Sequence, residues 1–380
     1  MSFEQGPIRP PSEARSLLIR VTRNCPWNKC AFCRTYRDEK FELRSLPEVI
    51  EDIKCMASIA DKIRELSLKK GEGGSVTRKV VQEIFNHEHI YDDQHRSIAF
   101  WLYSGGESVF IQDADSLVLK TVDFTSILSY IRACFPFVNR ITTYCRGKTA
   151  ARKSIEDLKE IKEAGLSRIH IGLESGYDPL LQFIRKGVTA AEHIEGGQKV
   201  KAAGISLSEY IIPGLGGERW SQEHAGETAR VINEINPDFI RLRSLYVKSG
   251  TSLMEMMERG EFSLLADDAV VQEIRVFLSK LEGIESTIVS DHILNLLEEV
   301  EGKLPHDRDK LIAVVDRYLS LSATDRLVFR LGRRRGIYRR LDDMHDENTY
   351  AGLASIVRQY EDNEKGSLDK YLSMIMHNYV

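Results

Sequence analysis

Across 380 residues there is no apolar run approaching the ~20 residues that a helix needs to cross a bilayer. The opening, MSFEQGPIRPPSEAR, has no apolar centre of the kind a secretory leader requires. Charge of one sign is missing too. With 53 Lys and Arg against 57 Asp and Glu, the net charge is −4, so only a local patch can serve a polyanionic partner. Cysteine is sparse: six in a chain of this length exclude a disulfide scaffold. Repeats and low-complexity tracts are absent, and so is any GxxxxGK[ST] string, which removes the P-loop class of nucleotide binders. What remains, 42% apolar and 29% charged residues, is the composition of a folded globular protein and not of a disordered one. The length suits one large domain, or a large one with a smaller appendage.

A short β-rich run followed by a helical stretch recurs along the chain. Ser16–Val21, Arg140–Tyr144, Arg168–Leu173, Ser206–Ile212 and Phe239–Leu245 read as strands. Ser97–Tyr103 (SIAFWLY), rich in aromatic and β-branched residues, reads as the second strand. In a competing register that run is a helix ended by Gly105, and Ser108–Gln112 is the strand, with Gln112 and Asp113 at its end. Helical spacing marks Leu46–Ile63, Thr125–Cys134, Lys153–Ala164, Ala190–Ala203 and Gln222–Ile235. Six such units imply an α/β protein: a three-quarter parallel β/α barrel, too short for the complete eight-stranded form. Ligands of such sheets sit at the carboxyl ends of the strands. Beyond about Gly250 the pattern changes to amphipathic helices at Leu264–Leu281, Ile293–Val300, Asp307–Leu321 and Tyr350–Tyr360, with a short edge strand at Ser286–Ser290. Residues 1–250 are therefore expected to form the core domain and 251–380 a mainly helical region covering its open side.

The first strand runs into Cys25, Cys30 and Cys33, three thiols within nine residues. Soft thiolates suit iron, and three of them can hold three irons of a [4Fe–4S] cluster, leaving the fourth open to a substrate or cofactor. The alternative is a structural zinc site. Zinc of that kind usually takes two separated ligand pairs, and no second pair is evident; His87, His89 and His95 lie in a distant polar segment.

With this loop the sequence resembles the radical S-adenosylmethionine (radical SAM) superfamily over roughly its first two-thirds. The spacing of the last two cysteines and the aromatic Phe32 before Cys33 follow that family's signature. Four residues between Cys25 and Cys30, where the family usually has three, set this chain apart as a subgroup. The resemblance implies a cluster on Cys25, Cys30 and Cys33 that chelates SAM and cleaves it reductively. The resulting 5′-deoxyadenosyl radical abstracts hydrogen from a substrate. It also implies a small flavodoxin- or ferredoxin-type electron donor. Ser104, Gly105, Gly106 and Glu107 look like the family's motif for the cofactor's amino group. Tyr144 and Arg146 at the third strand end, Glu174 and Ser175 at the fourth, Arg185 downstream and Gly214 after the fifth are the further cofactor-binding positions it implies. Cys145, a thiol at a strand end, and His292, beside the open mouth, are candidate catalytic groups for hydrogen-atom and proton transfer.

Arg241 and Arg243 share a face by alternation and either meet an anionic substrate or point outward. Arg326–Arg340 holds seven arginines in fifteen residues and invites a nucleic-acid reading, but the acidic Asp342–Glu347 follows at once. A face paired within the chain is the preferred reading. Grouped thiols and no membrane segment place the protein in a reducing cytoplasm. Two further functional classes stay open: radical methyl or sulfur transfer to RNA or a small molecule, and a zinc-stabilised interaction module.

Overall fold

The computed structural model describes residues 2–363 and 366–377. The fold class is α/β, as expected, with a mostly parallel eight-stranded sheet interleaved with helices. The strands are β1 (Leu17–Arg20), β2 (Ser108–Gln112), β3 (Arg140–Cys145), β4 (Arg168–Glu174), β5 (Ser206–Ile211), β6 (Phe239–Leu242), β7 (Thr287–Val289) and β8 (Gly302–Lys303), ordered in the sheet as in the chain. The sheet exceeds six strands because β7 pairs parallel with β6, and β8 then pairs antiparallel with β7.

Two compact units divide the chain. One comprises the described residues up to Asn28 together with Thr35–Ile171 and Glu195–Leu207; the other comprises Lys29–Arg34, Gly172–Ile194 and the described residues from Ser208 on. In the first, β1, β2, β3 and the start of β4 run parallel, with Arg20 opposite Gln112, Phe110 opposite Thr142 and Tyr144 opposite His170. Apolar Ile19, Val109, Ile111, Ile141 and Ile169 are buried on the sheet. The helix Leu46–Lys69 starts at a capping box. The Ser45 side chain accepts from Glu48 N, and Glu48 Oε2 accepts from Ser45 N at 2.8 Å.

The second strand needs a correction. Asp93–Tyr103 is a helix, N-capped by Asp92, whose Oδ1 accepts from His95 N at 3.0 Å, and it ends at Ser104. Gly105 and Gly106 follow with φ of 106° and 67°. An aromatic run favours a strand only when no cap and stop frame it as a helix. Ser104, Gly105, Gly106 and Glu107 therefore lie ahead of β2 and not at its carboxyl end.

An N-terminal segment is tied to the ends of β1 and β2. Gly6 N donates to Gln112 Oε1 at 2.8 Å, and Gln112 Nε2 donates back to the carbonyls of Gly6 and Ile8. Glu4 pairs with Arg20, Arg23 and Arg44. Its carboxyl is held below the usual range, chiefly by hydrogen bonding to Arg23.

In the second unit β5, β6 and β7 are parallel. The helices Asp267–Ser279, Arg308–Ser320 and Glu347–Asn363 match expectation, while Ala323–Arg334 and Ser367–His377 were not foreseen. Ile293–Val300 is not helical. There Asn295 spends its side chain on backbone partners, accepting from Ser244 N at 2.8 Å and donating to Leu242 O at 2.8 Å, which competes with helix formation. The arginine run is paired, though mainly by residues far away in the chain. Arg326 meets Asp268, Arg330 and Arg334 meet Asp267, and Arg333 and Arg339 meet Glu298. No helix among the described residues is long and apolar enough to cross a membrane.

Candidate active site

Asp113 organises the strand-end region of the first unit. It directly follows β2, is fully buried and sits at φ 72°, a left-handed conformation that Asp tolerates better than most residues. Its carboxylate accepts from Arg20 Nε at 2.7 Å, Asn24 N at 3.1 Å and the Tyr36 hydroxyl at 2.8 Å. Burial and this carboxylate together push the Tyr36 phenol well up, so it stays a donor. Asn24 and Tyr36 flank the cysteine loop, so one buried anion holds both of its ends. Asn28 adds to the frame, donating to the Tyr36 carbonyl and, from its backbone N, to Cys25 Sγ at 3.4 Å. Asn24 and Asn28 both have positive φ, which lets the loop turn tightly. Asp113 surfaced in the sequence only through the competing register, and its bracing role had no local signal.

Cys25 and Cys30 are half-buried and Cys33 is exposed; none of them forms a disulfide. Among the described residues, no three His, Cys, Asp or Glu side chains are grouped so as to hold a metal ion. The fit to an iron–sulfur cluster rests on donor chemistry: three soft thiols in nine residues of chain.

In the second unit, Lys29–Arg34 is laced into its surroundings. Ala31 N donates to Ile184 O at 2.8 Å, Leu253 N donates to Ala31 O at 2.9 Å, and Arg34 Nη1 reaches Ser249 O at 2.7 Å. Phe32 packs on the apolar cluster of Leu181, Ile184, Leu253 and Phe262.

Other candidate residues fall into distinct settings. Tyr144 lies edge-on to Phe110 at 5.2 Å and 5.7 Å from His170, so these three rings share one sheet face. The Arg146 guanidinium lies 5.1 Å from the Trp27 ring. Cys145, by alternation, is on the opposite face, level with Ile171. Burial and the neighbouring Asp115 push its thiol far up. Cys145 thus remains a protonated, buried thiol beside Asp115.

Asp115 is itself fully buried, and burial pushes its carboxyl up to about 6 despite a 2.6 Å hydrogen bond from Thr149 Oγ1. As pH rises from 3.8 toward 6 the unfolded chain ionises first, so this group withdraws stability across that window, by about 3 kcal/mol. Asp115→Asn is expected to remove that contribution. In denaturant titrations at pH 4 and pH 7, the wild type should lose more stability between the two than the variant; equal losses would refute the assignment.

Glu174, at φ 63°, pairs with Lys186 at 2.8 Å, and Lys186 Nζ stands 6.0 Å from the Phe32 ring centre. The cation that reaches Glu174 is Lys186, while Arg185 is exposed at φ 53°. Glu209 on β5 is fully buried and has no hydrogen-bond partner among the described residues; burial first and the Glu174 charge second push its carboxyl well up. Ser175 is fully buried, with Oγ 2.8 Å from His224 Nδ1. The carbonyl of Ile212 can only accept, so it takes the proton of His224 Nε2 at 3.0 Å, and Ser175 donates to Nδ1. Glu273 accepts from Gly214 N and from Ser221 Oγ, both at 2.6 Å. His224 and Glu273 thus fix the loop after β5; sequence spacing gave no sign of either. Gly214 has φ 86°, the conformational reason for glycine there. Glu107 is exposed, and Asn139 Nδ2 donates to its carboxylate at 3.1 Å. His292 is half-buried, and burial with the charge of Arg243 pushes its imidazole down to about 4, so it is neutral at pH 7.

Residues 78–229 match the family model of the Radical SAM superfamily. That stretch, about two-fifths of the chain, is similar to the domain of that superfamily, a class that implies an iron–sulfur cluster and SAM. The matched stretch begins after Cys33, so the cysteine loop lies outside it. Among curated proteins, the tRNA uridine(34) acetyltransferase of Methanocaldococcus jannaschii is 26% identical over 125 residues, covering 31% of this chain and 22% of that protein. The uncharacterized protein YtqA of Bacillus subtilis is 25% identical over 118 residues, 31% of this chain and 36% of its own length. The matches thus span well under half of these relatives. Among solved structures, the archaeal Methanocaldococcus infernus Elp3 with an N-terminal deletion aligns at TM-score 0.42 and 18% identity over 52% of each chain. Methylornithine synthase aligns at 0.41 and 14% over 88% of this chain and 85% of its own.

Proposed function

We propose that this chain holds a [4Fe–4S] cluster on Cys25, Cys30 and Cys33 and binds SAM at the strand ends, with residues 1–250 carrying the chemistry. The observation that carries this reading is the three-thiol loop directly after β1, in a chain whose residues 78–229 match the Radical SAM family model. When bound, the group supplies one-electron reductive cleavage of SAM, used to abstract hydrogen from a substrate. The protein's tasks are placement and exclusion of water. Asp113 keeps both ends of the loop in register, and Phe32 closes it against the apolar cluster. Tyr144, Arg146, Glu174, Arg185 and Gly214 are the proposed cofactor contacts, with Lys186 added because it is the cation paired to Glu174. A small flavodoxin- or ferredoxin-type protein would supply the electron in a reducing, cytoplasmic setting.

The test is anaerobic reconstitution followed by iron and acid-labile sulfide analysis and an assay for 5′-deoxyadenosine under reducing conditions. Iron, sulfide and SAM cleavage are expected together. Zinc alone would overturn the reading in favour of a structural module.

A further inference from the structure

Arg241 lies on β6 and Arg243 directly follows its carboxyl end, and among the described residues only Arg241 has an ion-pair partner. Arg241, 5% exposed, pairs with Asp291 at 3.1 Å and stands 6.0 Å from the rings of Tyr210 and Phe239. Its Nε is buried and has no hydrogen-bond partner among the described residues. Arg243, two residues on and just past the strand, is exposed and forms no ion pair among the described residues. Its backbone N is fixed to Ile211 O at 3.0 Å, so its Cα position is set by the sheet. The segment after β7 brings His292 into the electrostatic range of Arg243. That segment is held in place by Asn295, which bridges Leu242 O, Ser244 N and, at 3.1 Å, Ser290 Oγ. One guanidinium, Arg241, meets Asp291, and a second, Arg243, acts electrostatically on His292 at a strand end, where this fold class receives its ligands. A surface pair of arginines would not need such a brace, nor would it leave a guanidinium nitrogen orphaned under cover.

We propose that Arg243, with His292 beside it and Arg241 beneath, binds an oxyanion, a carboxylate or phosphate of the substrate. This rests on the functional reading above only in assigning that anion to the substrate. Guanidinium suits such groups through paired N–H donors. The Arg241–Asp291 pair sets the floor of the site, and Arg243 supplies the uncompensated charge. A neutral His292 offers one N–H donor without adding a second positive charge beside Arg243.

The experiment titrates the purified chain, separately, with inorganic phosphate and with malonate by calorimetry. Neither titration needs iron or SAM, so absent iron would sink the functional reading without touching this one. Saturable binding of at least one anion is expected, with the tighter of the two identifying a phosphate- or carboxylate-bearing ligand. Arg243→Ala should weaken it by at least about tenfold, the scale of one charge-assisted pair. Arg339→Ala, which removes an exposed arginine paired to Glu298, should leave binding unchanged. No saturable binding of either anion, unchanged binding in Arg243→Ala, or an equal loss in Arg339→Ala would each overturn the proposal.

Discussion

Cys30→Ala is expected to yield a folded chain that no longer retains iron and no longer cleaves SAM above background. Cys30 is half-buried, so trimming its sulfur costs little packing. The loss falls on coordination: two remaining thiols cannot anchor a cluster whose exchangeable vertex is meant to be the fourth iron. Iron per chain after reconstitution should fall from about four to near zero. Cys55→Ala is the matched comparison. Cys55 is 4% exposed within the helix Leu46–Lys69, away in sequence from the loop, and its removal should leave iron content intact. Retained iron and cleavage in Cys30→Ala would reject Cys30 as a ligand.

The second large effect belongs to Asp113. Replacing it by Asn removes the charge that faces Arg20 and presents an amide where a carboxylate accepted three donors. Breaking a buried pair in this way costs about 3–5 kcal/mol, and the variant can unfold outright. Tyr36→Phe separates stability from bracing, because it deletes one donor and leaves Arg20 and Asn24 on the carboxylate. That change should cost about 1–2 kcal/mol and leave a folded protein that surrenders iron to a chelator faster than wild type. Chelation at the wild-type rate, with stability lowered, would make Asp113 a fold determinant and no more.

Those two residues also mark how far the sequence was legible. The cysteine loop stands out because thiols are rare and chemically distinct, so three in nine residues carry meaning without any partner being known. The sheet was readable where strands alternate with well-spaced helices, as at Arg140–Cys145 and Arg168–Glu174. Ser97–Tyr103 misled because a short apolar run fits either period, and the deciding signals, the Asp92 cap and the Gly105–Gly106 stop, lie outside the run. Asp113, His224 and Glu273 act by long-range hydrogen bonds, and a single sequence carries no trace of which backbone amide a carboxylate will meet. The pairing of Arg326–Arg340 was foreseen in kind. Its partners Asp267, Asp268 and Glu298 were not, since ionic neighbours in a fold need not be neighbours in the chain.

The hydrogen-bonded lacing of Gly6 and Ile8 to Gln112, with Glu4 shared among three arginines, bears on how the protein can be handled. A chain trimmed to start at Pro10 would not be a neutral convenience. It would uncover Gln112 and strip Arg20, Arg23 and Arg44 of the carboxylate they have in common, loosening the wall against which the thiol loop is built.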